Sequence, residues 1–133
     1  MDNDNDFLIK VCEGILELKQ FCKSPEELSA LIYPLRVLAS LDQPPVRDQA
    51  TACLKKLAVG QSKEFYEKHY YPLITGMGKK GGPYSPKVTA CCLLPVAYPF
   101  VGEKAQVEFR ALFKSFALEE NSPLVRRAVA ENI

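Results

Sequence analysis

The residues best suited to catalysis are one histidine, His69, and two adjacent cysteines, Cys91 and Cys92. A cysteine nucleophile needs a base within hydrogen-bonding distance and a third group that orients the base. His69 falls among tyrosines in one predicted helix, whereas the cysteines fall on the apolar side of a later one. An enzyme that uses Cys91 or Cys92 with His69 is therefore kept as an alternative, and a packed or surface histidine is the simpler interpretation. One histidine without a C-x-x-C pair also leaves no ordinary zinc set, so we assign no catalytic residue, metal ligand or cofactor.

The acidic N-terminus imitates a calcium-binding loop. Asp2, Asp4, Asp6 and Glu13 occupy the first, third, fifth and twelfth positions of such a loop. The sixth position normally needs glycine for a sharp turn, and here it is Phe7. Acidic residues also suit the start of a helix, where the macrodipole is positive. We therefore predict a helix start here rather than a calcium site.

Composition narrows the classes of protein further. The chain has 133 residues, of which 47% are hydrophobic and 25% charged, with a net charge of +1. Such a near-neutral balance argues against nucleic-acid binding, which depends on many basic contacts to phosphates. The longest apolar run is interrupted by Pro95 and Pro99, so no membrane span is expected. Five cysteines without a C-x-x-C pair are typical of reduced thiols in a cytosolic or nuclear protein, so we expect a cytoplasmic location, with the nucleus as the alternative.

A short motif recurs about every 40 residues. A basic residue is followed three positions later by a small or branched apolar residue, and four positions after that by a large apolar residue. The three copies are Val46–Leu54, Pro86–Leu94 and Val125–Ile133. Their basic residues, Arg47, Lys87 and Arg126, are 40 and 39 residues apart. A period near 40 built from helix pairs is typical of HEAT repeats, and these basic residues either tie neighbouring repeats together or form a ladder for an acidic partner.

Apolar periodicity and helix-start signals divide the chain into repeats of a first (A) and a second (B) helix. We predict an all-α protein, an α-solenoid superhelix of antiparallel helix pairs. Its parts are residues 7–22 as a preceding B helix, then repeats at 25–58, 63–101 and 103–133, the last cut short. Pro34 and Pro72 stand at matching places and should kink their A helices. Because no polar capping repeat follows, we expect part of a longer solenoid, in which Val125, Val129 and Ile133 lack the repeat that should cover them.

Four segments point to one particular family of HEAT-repeat proteins. They are Tyr33–Ala39, Val46–Ala50, Ala90-Cys91 with Tyr98-Pro99, and Pro123–Ala128. In their order and spacing the chain, from about Phe7 to Ile133, resembles the N-terminal part of the scaffold subunits of type 2A serine/threonine protein phosphatases.

This resemblance implies a horseshoe of HEAT repeats without catalytic activity. In that family the C-terminal repeats hold the phosphatase catalytic subunit, and the N-terminal repeats hold a regulatory (B-type) subunit through the loops that join A and B helices. This chain would correspond to the regulatory-subunit side, with the catalytic subunit held by repeats outside it.

The resemblance also implies which residues bind the regulatory partner. They lie in the three A–B loops: Asp42, Gln43 and Pro44 in the first, Tyr84 in the second, and Asn121, Ser122, Pro123 and Leu124 in the third. The chain has Pro83 and Tyr84 where the family presents a tryptophan, and Tyr84 is the expected anchor. The alternative within the same fold is a HEAT-repeat transport or assembly adaptor unrelated to phosphatases.

Overall fold

The computed structural model describes the backbone of residues 2–79, 82–118 and 122–132, and the side chains from residue 5 onward within those ranges. All regular secondary structure in this part of the chain is helical, which confirms the all-α prediction. The α-helices are α1 (Asp2–Glu17), α2 (Pro25–Ser29), α3 (Ile32–Ala39), α4 (Pro44–Ala58), α5 (Lys63–Phe65), α6 (Tyr71–Met77), α7 (Tyr84–Ala97), α8 (Glu103–Ala117) and α9 (Pro123–Glu131). Short 3-10 turns follow α1 at Leu18–Phe21 and α7 at Tyr98–Phe100, and a π-helical turn at Tyr66–Tyr70 joins α5 to α6.

The chain divides into two compact units, Met1–Gly60 and Gln61–Ile133. The boundary falls between the predicted repeats at 25–58 and 63–101. Among the described residues, no helix combines the length and the apolar character needed to cross a bilayer.

The first unit is organised around α4, on which α1 and α3 both pack. The apolar side of α4 predicted from the sequence is buried: Val46, Ala50, Cys53, Leu54, Leu57 and Ala58. Lys19, after α1, donates hydrogen bonds to the carbonyl oxygens of Lys56 (2.9 Å) and Val59 (3.3 Å). A cation is favourable at the negative end of a helix, so Lys19 stabilises the end of α4 and ties α1 to it.

The second unit is organised around α7, which contacts α6, α8 and α9. Most of the circumference of α7 is buried, including Val88, Ala90, Cys91, Leu93, Leu94 and Ala97. Two phenylalanines of α8, Phe109 and Phe116, are also buried, and the Tyr71 ring packs on Phe109 with centroids 5.6 Å apart.

Serine caps begin several helices where the sequence predicts them. The Ser24 hydroxyl accepts a hydrogen bond from the Glu27 N–H at 3.2 Å, and a Glu27 carboxylate oxygen accepts one from the Lys23 N–H at 2.7 Å. The Ser62 hydroxyl accepts from the Phe65 N–H at 3.1 Å. These bonds satisfy N–H groups that have no partner within the first turn of a helix.

The two prolines at matching repeat positions lie in the first turns of α3 and α6, and the kink expected in each A helix stays a prediction. Pro34 lies in the first turn of α3, after a break from α2, and Pro72 is the second residue of α6. A proline is tolerated in a first turn because its missing N–H has no acceptor there. Before Pro72 the chain widens into the π-helical turn, where the Tyr71 N–H donates to the Tyr66 carbonyl.

Within each unit, equivalent helices of successive pairs lie side by side. In the first unit α1 contacts α4; in the second, α7 contacts α9 and α6 contacts α8. This B-on-B and A-on-A packing is how helix-pair repeats stack. The superhelical arrangement of all the pairs stays a prediction.

Two hydrogen bonds connect the first A helix of the second unit, formed by the π-helical turn and α6, to α8 and the residue before it. A Glu67 carboxylate oxygen accepts from the Gly102 N–H at 2.6 Å, and the Tyr71 hydroxyl donates to the Glu108 carboxylate. These pairs are 35 and 37 residues apart, close to the repeat spacing in the sequence.

The expectation that the last repeat leaves its valines uncovered needs correction. Val125 and Val129 are 0% and 5% exposed, because α9 packs on both α7 and α8; their neighbours within the unit suffice to cover them. Ile133 lies outside the described residues.

Candidate protein-interaction surface

The turn between α3 and α4 presents the first group of predicted partner-binding residues. Asp42, Gln43 and Pro44 are all exposed. Gln43 is extended (φ −87°, ψ 106°), as expected for a residue before proline. Pro44 opens α4, and the Arg47 N–H donates to the Gln43 carbonyl at 3.0 Å. The turn is therefore short and anchored directly on a helix end.

Tyr84, the predicted anchor, is the first residue of α7 and is 42% exposed. The Lys87 Nζ lies 5.5 Å from the centroid of the Tyr84 ring, and Lys87 itself is only 4% exposed. A cation over a tyrosine ring is an attractive contact, about 0.5–2 kcal/mol depending on desolvation. Lys87 therefore holds the ring on one side while a large part of the ring remains open to a partner.

The third group of predicted partner-binding residues lies where α9 begins, and its members differ in exposure. Ser122 is 3% exposed, and its hydroxyl accepts from the Val125 N–H at 3.2 Å, so it caps α9 and positions the turn. Pro123 and Leu124 are exposed, Leu124 by 43%. Asn121 lies outside the described residues.

We expect the second and third groups to lie at the same end of the second unit. α7 and α9 each contact α8, and in a stack of antiparallel helix pairs two helices that flank a third run in the same direction. The Asn132 side-chain amide donates to the Cys92 sulfur at 3.6 Å, across 40 residues. The same offset of 40 residues would place Tyr84 level with Leu124. The first group belongs to the other unit, and its alignment with these two stays a prediction.

Curated relatives match nearly the whole chain. The PP2A 65 kDa regulatory subunit of Drosophila melanogaster is 29% identical over 131 residues, and the probable PP2A regulatory subunit of Caenorhabditis elegans is 27% identical over 131. The protein phosphatase 2A scaffold subunit of Dictyostelium discoideum is 26% identical over 133 residues. These matches cover at least 98% of the chain. The chain is similar to scaffold subunits of protein phosphatase 2A.

This similarity confirms the resemblance predicted from four short segments. The chain spans about 22% of the length of these relatives. No protein-family model matches it.

Two of the three recurring basic residues are buried. Arg47 is 6% and Lys87 4% exposed, whereas Arg126 is exposed. The Arg47 Nε lies 3.9 Å from the Asp48 carboxylate, and Lys87 lies over Tyr84. A basic ladder for an acidic partner needs accessible charges, so the burial of Arg47 and Lys87 favours a role inside the repeat stack.

The buried cysteines have the properties of packed thiols. Burial raises the pKa of Cys91 to about 12, with a further contribution from Cys92, and raises the pKa of Cys12 to about 11, with a further contribution from Cys53. The thiolate is the reactive form of cysteine, so a raised pKa disfavours nucleophilic chemistry at Cys91. The His69 ring packs on Phe65 with centroids 4.8 Å apart.

The segment that imitates a calcium loop lies in α1, where the sequence predicts a helix start. The side chains of Asp2 and Asp4 lie outside the described ones. Among the described residues, no group of three or more His, Cys, Asp or Glu residues is placed to hold a metal ion.

Sequence reasoning missed a groove on the second unit. Helical periodicity puts Phe113 on the same stripe of α8 as Phe109 and Phe116, yet Phe113 is only partly buried and lines a groove together with Arg110 and Lys114. The available signal was the pair of basic residues four positions apart, which places both charges on one side of the helix.

Proposed function

We propose that this chain is a non-catalytic scaffold segment of a type 2A serine/threonine protein phosphatase, and that its A–B turns bind a B-type regulatory subunit. In a longer parent, repeats beyond this chain hold the catalytic subunit. The observation that carries the proposal is the similarity to several scaffold or regulatory subunits along at least 98% of the chain.

The geometry of the turns supports this role. Tyr84, Pro123 and Leu124 offer apolar, partly exposed surface at one end of the second unit. Prolines and a ring held by Lys87 have few conformations to lose when a partner orders them. Because these residues lose little conformational entropy on binding, more of the contact free energy contributes to affinity.

The mechanism is geometric. A scaffold that holds a substrate-selecting subunit and a catalytic subunit on one frame converts their encounter into an intramolecular event. The effective concentration then depends on the spacing of the two sites rather than on free protein levels. The chain itself carries out no chemical step in this mechanism.

Binding of the 133-residue chain to purified subunits tests the proposal. The chain is immobilised, and surface plasmon resonance measures binding of a panel of B-type regulatory subunits and, separately, of the PP2A catalytic subunit. We expect at least one regulatory subunit to bind saturably and the catalytic subunit to give no specific signal. Binding of the catalytic subunit alone would reverse the assignment of the chain to the regulatory side, and binding of neither would contradict it.

A further inference from the structure

A groove of about 430 Å³ lies between helices of the second unit, away from the turns. Leu94, Pro95 and Tyr98 line one side, from the end of α7 and the turn after it; Arg110, Phe113 and Lys114 of α8 line the other; and Asn132 closes one end. Tyr84 and Leu94 stand ten residues apart on α7. At 1.5 Å per residue, the groove is roughly 15 Å from the turn surface. Grooves of this size are typical of ligand-binding sites.

The floor of the groove is apolar and its rim is positively charged. Leu94, Pro95 and Phe113 supply the apolar surface, while Arg110 and Lys114 supply two cations. No carboxylate is among the lining residues, and neither cation forms an ion pair with a described carboxylate. Among the described residues, the groove therefore places an apolar surface beside two cations that have no carboxylate partner.

The placement of the two cations is not explained by the stability of α8. Like charges four residues apart on a helix repel, which costs about 0.2–0.5 kcal/mol. Lys114 gains from its position in the last turn of α8, but Arg110 lies in the middle of the helix. The Arg110 Nη1 donates to the Tyr98 hydroxyl at 2.6 Å. This bond holds the guanidinium at the rim, and its planar fork has further donors for a carboxylate.

We propose that this groove binds a short amphipathic helix of a partner protein, with an apolar residue on Leu94, Pro95 and Phe113 and acidic residues facing Arg110 and Lys114. Charge complementarity selects this occupant over a neutral or basic one. Two bordering helices also suit the helix-in-groove mode, in which apolar anchors recur every three or four residues. The site is separate from the turn surface and does not depend on the proposed phosphatase role.

A phage-displayed library of random 16-residue peptides, panned on the 133-residue chain at low salt, tests the groove. We expect enriched peptides to share apolar residues with an acidic residue three or four positions away. The best peptide is then synthesised with a fluorophore, and its affinity is measured by fluorescence anisotropy. Replacing its acidic residues with lysine, or its apolar residues with serine, should each weaken binding at least tenfold.

Charge-reversed variants locate the site. Arg110→Glu with Lys114→Glu should weaken binding of the acidic peptide at least tenfold and restore binding of its lysine version. The matched control, Lys63→Glu with Lys68→Glu, makes the same change in net charge at exposed positions outside the groove and should shift affinity less than threefold. Circular dichroism checks that each variant is folded.

Several results would overturn the proposal. The first is that panning enriches no peptide, and the second is that the enriched peptides lack acidic residues. The third is that the control variant loses as much affinity as the groove variant, which would indicate general charge attraction. Concentration-dependent association of the chain that disappears in Arg110→Glu with Lys114→Glu would instead assign the groove to a second copy.

Discussion

The side-chain amide of Asn132 donates a hydrogen bond to the sulfur of Cys92, 40 residues earlier in the chain. The Cys53 thiol donates in the same way to the carbonyl of Cys12, 41 residues earlier. Each bond joins two B helices that are equivalent in the repeat, one pair in each compact unit. The spacing of these bonds matches the spacing of the recurring basic residues in the sequence. The period of about 40 residues in the sequence thus corresponds to the step from one B helix to the equivalent helix of the next repeat.

The repeat register predicts which leucine is critical for stability. Leu54 is fully buried in the first unit, so Leu54→Ala removes apolar contacts and leaves a cavity. We expect it to lower the free energy of unfolding by about 2–5 kcal/mol. Leu118 is 67% exposed, and Leu118→Ala should change the free energy by no more than about 0.5 kcal/mol. Urea denaturation followed by circular dichroism measures both, and similar losses would mean that the register is wrong.

Two glycines should respond in opposite directions to the same substitution. A Cβ built on Gly78 would lie 2.6 Å from the Phe116 ring, which is itself buried, so Gly78→Ala should destabilise the second unit by about 1–3 kcal/mol. Gly14 lies within α1 with open space around it, so Gly14→Ala should stabilise the helix by about 0.5–1 kcal/mol. Thermal unfolding of the two variants checks the signs, and destabilisation by Gly14→Ala would contradict the packing described for α1.

Stability should fall at high pH through the buried thiols. Burial raises the pKa of Cys91 from 9.0 to about 12 in the folded chain. Between these values the unfolded chain releases the proton and the folded chain retains it, so the thiol favours unfolding as pH rises. Below about pH 9 it has no effect, and above that pH it lowers the free energy of unfolding by up to about 1.4 kcal/mol per pH unit. The measurement is urea denaturation at a series of pH values, in which Cys91→Ala should have a shallower slope than the wild type between pH 9 and 12. Equal slopes would show that Cys91 is not the titrating group.

Much of the fold could be predicted from the sequence because the deciding signals are local. Ser24, Ser62 and Pro123 mark helix starts by their own chemistry, and Leu54 and Leu94 follow the helical period that directs them inward. The burial of Val125 and Val129 depends on contacts with α7 and α8, which the sequence order of the repeats does not reveal.

Less of the candidate site could be predicted from the sequence. Tyr84 was expected at a turn, but the position of Lys87 beneath its ring depends on side-chain geometry. Ser122 was grouped with partner-contacting residues, whereas its burial and its bond to the Val125 N–H make it a cap. Phe113 looked like a core residue because periodicity places a residue on a face without specifying what covers that face.

The binding surface at the turns is the central claim, and a double variant of the 133-residue chain tests it most directly. The measured quantity is its affinity for the B-type regulatory subunit that binds the wild type. Tyr84→Ala with Pro123→Ala should lower that affinity at least tenfold, about 1.4 kcal/mol. Tyr33→Ala is the matched control, because Tyr33 is 73% exposed on α3, outside the turns, and its affinity should stay within twofold of the wild type. A double variant that remains folded and binds as tightly as the wild type, or an equal loss in Tyr33→Ala, would contradict the account.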